Sequence, residues 1–163
     1  MDVRWYSDIQ CYSRITLPDN NVIIVGKTPF KYSSNWSISN VVELGVGGVI
    51  DLTNTDRYYS PPTDIPHLKL KVDGSRTTDI MSTEDLENVV GFVKMVFSTG
   101  KPVFIHCTHG ANRTGYVFVK IMKSMYGVPV RDAIEMFKSN RKNGLYKKEY
   151  INDLLGGESP DQI

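Results

Sequence analysis

The chain has 163 residues, 40% of them hydrophobic and 23% charged, which suits one soluble domain built around one core. Nineteen basic residues against eighteen acidic ones leave a net charge of +1; that excludes a global field pulling the protein onto nucleic acid or membrane, so any polyanion site has to be local. No stretch approaches the roughly 20 apolar residues of a membrane span, the N-terminal MDVRWYSDIQ lacks the apolar run of a signal peptide, and two cysteines far apart, Cys11 and Cys107, point to a reducing, intracellular setting rather than a disulfide framework.

In chain order, NVIIV (21–25) reads as a strand closed by Gly26. Ser37 caps a short helix through Leu44, ended by Gly45. GGVIDLT (47–53) is a buried strand, and HLKLKV (67–72) alternates as a strand does. Ser82 and Asp85 form a capping pair ahead of Leu86, Val89, Val90, Val93 and Val96 or Phe97, a helical spacing that closes at Gly100. PVFIH (102–106) is another buried strand. TGYVFVKIMKSMY (114–126) is a mostly buried helix ending at Gly127. Val130 to Asn140 is amphipathic, with Ala133, Ile134 and Phe137 inward, and Lys147 to Leu155 forms a last helix. Strands alternating with helices predict a single α/β domain, a central and mostly parallel sheet flanked by helices. It spans residues 1–155, and the polar GGESPDQI (156–163) is expected to fray.

The chemistry concentrates in FIHCTHGANRTG (104–115). This is a strand–loop–helix turn at the carboxyl end of a buried strand, where α/β proteins place ligands. Backbone N–H groups from Thr108, His109, Gly110, Ala111 and Asn112, with the first turn of the following helix, form an anion-binding nest. Gly110 permits the bend. Arg113 follows Cys107 after five residues, placing a guanidinium where it returns over the loop and grips phosphate oxygens in bidentate fashion. Cys107 then lies at the floor of an anion pocket whose dipoles favour a thiolate. A thiolate facing a bound phosphate is set for in-line attack and a phosphocysteine intermediate, with Arg113 and the amides stabilising the transferring group. This chemistry requires no metal and no cofactor. A metal site on His106, Cys107 and His109 is too tightly spaced for the usual zinc patterns.

His-Cys-x5-Arg-Thr resembles the signature of the cysteine-dependent phosphatase superfamily. HCTHGANRTG more specifically resembles the RNA 5′-triphosphatase branch: metazoan capping-enzyme triphosphatase domains and their free-standing cellular and baculoviral relatives. IDLTNTDRYY (50–59), RW (4–5), GKTPF (26–30), DAIEMFKSNR (132–141) and YKKEYINDL (146–154) resemble other segments of that branch in order, so the likeness covers nearly the whole chain. It implies a dual-specificity/tyrosine phosphatase-like fold, with Cys107 as nucleophile and Arg113 as phosphate-binding arginine. Thr108 to Asn112 supply backbone donors, His106 orders the loop, and Thr114 places a hydroxyl beside the thiolate. Arg57 is a candidate contact to a longer phosphate chain. The implied substrate is 5′-triphosphorylated RNA, from which the γ- and then the β-phosphate is removed, since the chain is too short for an attached guanylyltransferase domain. A monomer is expected, in the nucleus or in a virus-infected cell by analogy.

Protein phosphatases of the superfamily add an aspartate that protonates the leaving oxygen. Asp73 and Asp79, in KVDGSRTTDIM, lie in the right zone; Asp73 is the candidate acid, but Asp73-Gly74 is a common turn pair, and the turn is the reading favoured. A phosphate chain leaves as an anion near neutrality, its relevant pKa being about 6, so the triphosphatase chemistry needs no such acid. The alternatives are a dual-specificity protein phosphatase and a non-catalytic phosphate-binding module. Lys138, Arg141, Lys142, Lys147 and Lys148 form either a solvated helical face or a track for an RNA backbone. Trp5 and Trp36 read as packing residues, and Cys11 as a bystander.

Overall fold

The computed structural model describes residues 10–33, 35–72, 80–142 and 144–156. Its elements run β1 (Tyr12–Thr16), β2 (Val22–Lys27), α1 (Ile38–Glu43), β3 (Gly48–Asp51), β4 (His67–Lys69), α2 (Thr83–Ser98), β5 (Val103–Cys107), α3 (Asn112–Tyr126), α4 (Val130–Asn140) and α5 (Lys148–Leu155). The sheet order is β1-β2-β5-β3-β4. Among the described residues only the β1–β2 pair is antiparallel; β2, β3 and β4 are joined through parallel ladders around β5 and β3, the mostly parallel sheet expected from alternating strands and helices.

Three departures from the sequence pattern have local causes. β1 was not anticipated, because YSRIT buries only Ser13 and Ile15 and so offers a single strongly apolar residue as a signal. β2 continues through Gly26 and Lys27 because β5 runs on beside it, pairing Gly26 with His106 and Lys27 with Cys107. β4 stops at Lys69 rather than residue 72, since its partner β3 ends at Asp51, opposite Lys69.

β5 is the central strand and sets up two cores by simple alternation. Val103, Ile105 and Cys107 join Ile23, Val25 and Ile50 in the larger core, under α2–α5. Phe104 faces the other way, with Ile24, Val49, Trp36, Val41 and Val46 under α1. Trp36 is a packing residue, its indole N–H donating to the Lys27 carbonyl at 2.9 Å. α3 is buried on most of its circumference because α4 and α5 close over it. A side chain at Gly115 would meet the Phe137 ring at 2.8 Å, so this glycine lets α4 approach closely enough for Phe137 to pack on Phe118, ring centroids 5.5 Å apart. Burying a ring of that size contributes roughly 1.5–3 kcal/mol. The packing fixes the start of α3, and so the loop between β5 and α3, against the sheet.

Candidate active site

Cys107 is the last residue of β5 and is 3% exposed. Its Sγ accepts the Gly110 N–H at 3.3 Å and the Thr114 hydroxyl at 3.0 Å; both donors stabilise charge on sulfur. The carbonyls of the loop are turned away from this point. Thr108 O accepts from the Thr28 N–H at 3.2 Å, and His109 O and Gly110 O accept from the Arg141 guanidinium at 3.1 and 3.0 Å. In a trans peptide the next N–H points opposite to the carbonyl, and the described residues contain no cis bond. The N–H groups of His109, Gly110 and Ala111 therefore point away from those carbonyl partners, and that of Gly110 lies on the sulfur. Gly110 adopts φ +72, and a Cβ there would lie 2.4 Å from the Gly26 backbone, so both conformation and space require glycine.

Arg141 is where the sequence pattern misled. It is 2% exposed, neither a solvated charge nor part of a track. Besides the two loop carbonyls, it donates to Gln10 O at 2.8 Å and to Ser13 Oγ at 3.3 Å. Burial pulls it down to about 10, with Cys107 and Cys11 acting in the opposite direction, so it stays cationic at neutral pH, behind the nucleophile.

Behind the loop on the β3 side lies a second polar cluster. His106 is fully buried. Its Nε2 lies 2.6 Å from Tyr59 Oη, which in turn lies 3.0 Å from His67 Nε2 and 3.4 Å from Asp51 Oδ2. Tyr59 has one hydroxyl proton and two acceptors in reach, His106 Nε2 and Asp51 Oδ2. With the proton on the shorter contact to His106, His106 Nδ1–H faces Cys107 O at 3.4 Å and His67 Nε2–H donates to Tyr59 Oη, which leaves Asp51 to its other donors. Asp51 takes the Lys69 ammonium at 3.1 Å and the Thr53 hydroxyl at 2.7 Å. Burial works to raise the Asp51 carboxyl, but His106, the Thr53 donors and Lys69 outweigh it and hold it below the usual range. Burial drives His106 down from 6.5 to about 4, against the opposing pull of Asp51. A depressed histidine is neutral in the folded state and takes up its proton more readily when unfolded. Its contribution is therefore complete above pH 6.5 and is lost as pH falls toward 4, about 3 kcal/mol in all. Denaturant midpoints measured across that window are expected to fall, and His106→Gln is expected to reduce the slope, with His67 and His109, both also depressed by burial, contributing to what is left. An unchanged slope would place the acid sensitivity elsewhere.

A cavity of about 380 Å³ opens in front of the thiol, lined by Asn54, Cys107, His109, Ala111, Asn112, Arg113, Tyr146, Lys147 and Tyr150. Arg113 lies over the loop, donating to Thr108 Oγ1 at 3.0 Å and reaching Leu52 O and Val72 O at 3.4 Å each. Burial, with Arg113 and Lys27 nearby, depresses His109, which favours a neutral ring. The Oδ1 of Asn112 accepts from the Tyr146 and Lys147 N–H groups at 3.0 and 2.8 Å, tying the C-terminal segment to the loop. The structure thus brings together all the loop residues anticipated from sequence, with His106 and Thr114 beneath them. It does not bring in Arg57, which is exposed, rests on the Tyr58 ring at 5.2 Å from its centroid and does not line the cavity. Asp73, Asp79 and the tail from residue 157 lie outside the described residues. Sequence reasoning missed Asn54, Tyr146 and Tyr150 as lining residues, and Tyr59, His67, Asp51 and Lys69 as supports. Among the described residues no group of three or more His, Cys, Asp or Glu could hold a metal ion, and no helix is long and apolar enough to cross a membrane.

Comparison with known proteins agrees with this geometry. A family model for the catalytic domain of dual specificity phosphatases matches residues 31–159. The human RNA/RNP complex-1-interacting phosphatase is 40% identical over 119 residues, covering 71% of this chain and 36% of that protein. A tyrosine-protein phosphatase of Autographa californica nuclear polyhedrosis virus is 30% identical over 168 residues, covering 93% and 97%. The mRNA-capping enzyme of Caenorhabditis elegans is 36% identical over 126 residues, covering 72% and 19%. The chain thus spans about a third of the human relative. The crystal structure of PTPMT1 superposes with a TM-score of 0.71 at 19% identity, covering 90% of this chain and 92% of that one, a likeness of fold.

Proposed function

Because the chain belongs to the dual specificity phosphatase family and is a phosphohydrolase, we propose that its substrate is the 5′ end of RNA, from which it removes the γ- and then the β-phosphate. The observation that carries this reading is the charge of the cavity. Arg113, Lys147 and the loop amides line it, and no carboxylate does among the described residues. Such a lining suits a polyanionic chain. The names of the human and nematode relatives, an RNA/RNP complex-1-interacting phosphatase and an mRNA-capping enzyme, point to the same substrate.

The mechanism follows from the residues. The Cys107 thiolate attacks the terminal phosphorus; an S–P bond forms while the bridging P–O bond breaks. The leaving chain departs as an anion and needs no proton from the protein. Arg113 and the amides of His109, Gly110 and Ala111 hold the equatorial oxygens. A water oxygen then attacks the phosphocysteine, the P–S bond breaks, and the water's protons leave with orthophosphate and bulk solvent. Thr114 and the Gly110 N–H receive the returning thiolate.

A second reading, a protein phosphatase with Asp73 as acid, is favoured by the name of the baculoviral relative, a tyrosine-protein phosphatase. The two separate when RNA labelled at the γ- or β-phosphate and a phosphotyrosine peptide are offered in parallel, in the presence of a chelator. Phosphate release from RNA is expected at a kcat/KM about a hundredfold higher or more, a difference of about 2.7 kcal/mol in transition-state binding. Release mainly from the peptide would overturn the proposal, and loss of activity in chelator would overturn the cysteine mechanism. Asp73→Ala is expected to leave hydrolysis of the RNA end nearly intact; a loss of about a hundredfold would make Asp73 a working acid.

A further inference from the structure

Arg113 and the loop amides suffice for one phosphoryl group on Cys107, yet the cavity continues past them to Tyr146 and Lys147. Lys147 is half-buried, and its ammonium lies over the Tyr150 ring, 4.9 Å from the centroid. Tyr150 is itself 1% exposed and set edge-on against Tyr116, so the wall under the ammonium is rigid. The Lys147 backbone is fixed as well, through its N–H bond to Asn112 Oδ1 at 2.8 Å. Asn112 directly precedes Arg113. One side chain thereby holds two cations, from segments over thirty residues apart in the chain, on one cavity. Among the described lining residues these are the two full charges, and none of the others is a carboxylate.

We propose that Lys147 forms the subsite for the second phosphate of the substrate, and that it makes the enzyme prefer a phosphate chain over a single phosphate. This rests on the pocket being one for a 5′-phosphate chain and names the residue that reads the chain's length. With the terminal group on Cys107 and Arg113, the next phosphate lies toward the cavity mouth, on the side of Lys147. A lysine suits that position: a compact charge with rotatable donors follows a flexible chain better than a planar fork does.

The test uses inorganic ions, so that it does not depend on RNA being the substrate. Orthophosphate and tripolyphosphate are compared as competitive inhibitors of para-nitrophenyl phosphate hydrolysis by the full chain. The wild type is expected to bind tripolyphosphate more tightly than orthophosphate, and Lys147→Gln to reduce that preference about tenfold, the size of one charge-assisted bond. Lys147→Arg is expected to retain most of it, and Lys148→Gln, an exposed neighbour outside the cavity, all of it. A preference unchanged in Lys147→Gln overturns the proposal. So does an equal loss in Lys148→Gln, which would assign the effect to the general field of α5. The two readings fail separately. If labelled RNA is ignored while the Lys147-dependent preference persists, the RNA substrate is wrong and the subsite stands. If RNA is hydrolysed and Lys147→Gln changes nothing, the subsite is wrong and the RNA substrate stands.

Discussion

Cys107→Ser is expected to lower turnover of any phosphate substrate by at least about a thousandfold while leaving the chain folded and able to bind phosphate. The substitution changes one atom in a site whose other parts are positioned independently of it. The Gly110 N–H and the Thr114 hydroxyl, which lie 3.3 and 3.0 Å from the sulfur, would serve a serine oxygen as donors. What is lost is the nucleophile. A serine hydroxyl is far less acidic than a thiol and has no general base among the cavity-lining residues apart from His109, whereas a thiol supplies its own anion. Losses of about 10³ to 10⁶ are usual when an acting nucleophile is removed. Two measurements check this: single-turnover release from labelled RNA, and mass spectrometry of quenched wild-type protein, where a phosphoryl group should appear on the peptide carrying Cys107. Residual turnover within about tenfold of wild type would mean that the attack does not come from this sulfur.

Arg141→Met is expected to destabilise the protein by about 3–5 kcal/mol and to reduce kcat of the remaining folded molecules by about a hundredfold. Methionine keeps much of the buried stem but removes every donor. The carbonyls of His109, Gly110 and Gln10 lose their partners together. A buried acceptor left without a donor costs about 1–3 kcal/mol; the Gly110 carbonyl is buried, and the part-buried His109 and Gln10 carbonyls add at the low end of that range. The catalytic loss follows because two of those carbonyls, held by Arg141, keep the loop amides pointing away from it, that of Gly110 on the sulfur, and displacements of about 1 Å in such a site cost about a hundredfold in rate. Arg141→Lys should fail as well, since one ammonium cannot bridge acceptors that a guanidinium spans as a fork. Urea denaturation and steady-state kinetics below the unfolding transition separate the two effects. Wild-type stability with full activity would return Arg141 to the status of a surface charge.

The loop itself was legible in the sequence because its chemistry is local. The cysteine, the glycine with positive φ, the arginine and the threonine lie within eight residues, and their spacing alone places them on one turn between strand and helix. The strand and the helix on either side were legible for the same reason, from the buried run VFIHC and the apolar periodicity of α3. The supports were not legible, because each is non-local. Arg141 lies in a run of charges at the end of α4, and nothing around it signals that α4 carries its guanidinium beneath a loop thirty-one residues earlier. Tyr59 belongs to the Arg-Tyr-Tyr segment that drew attention to Arg57. The structure reverses their weight: the arginine is exposed on the neighbouring ring, while the second tyrosine is buried and bonded to His106 across forty-seven residues. Lys147 reads in the sequence as the first residue of the last helix and as one of a basic cluster, and Tyr146 only as the start of YKKEYINDL; the Asn112 side chain and the cavity lining show where both belong. Burial of a polar side chain depends on which segments meet in three dimensions, and periodicity does not report that.

The same Asn112 bridge divides the enzyme into two parts of unequal freedom under mutation. The reacting floor, from Cys107 to Arg113, sits on the central strand, and Arg141, Thr28 and His106 hold it from three directions. The mouth comes from one short stretch, Tyr146 to Tyr150, joined to the floor by two bonds to a single amide oxygen. Substitutions in that stretch would alter which phosphate-bearing molecule fits while leaving bond cleavage intact. Such an enzyme could therefore change clients through Tyr146 and Lys147, with buried Tyr150 kept as the fixed wall, without passing through an inactive ancestor.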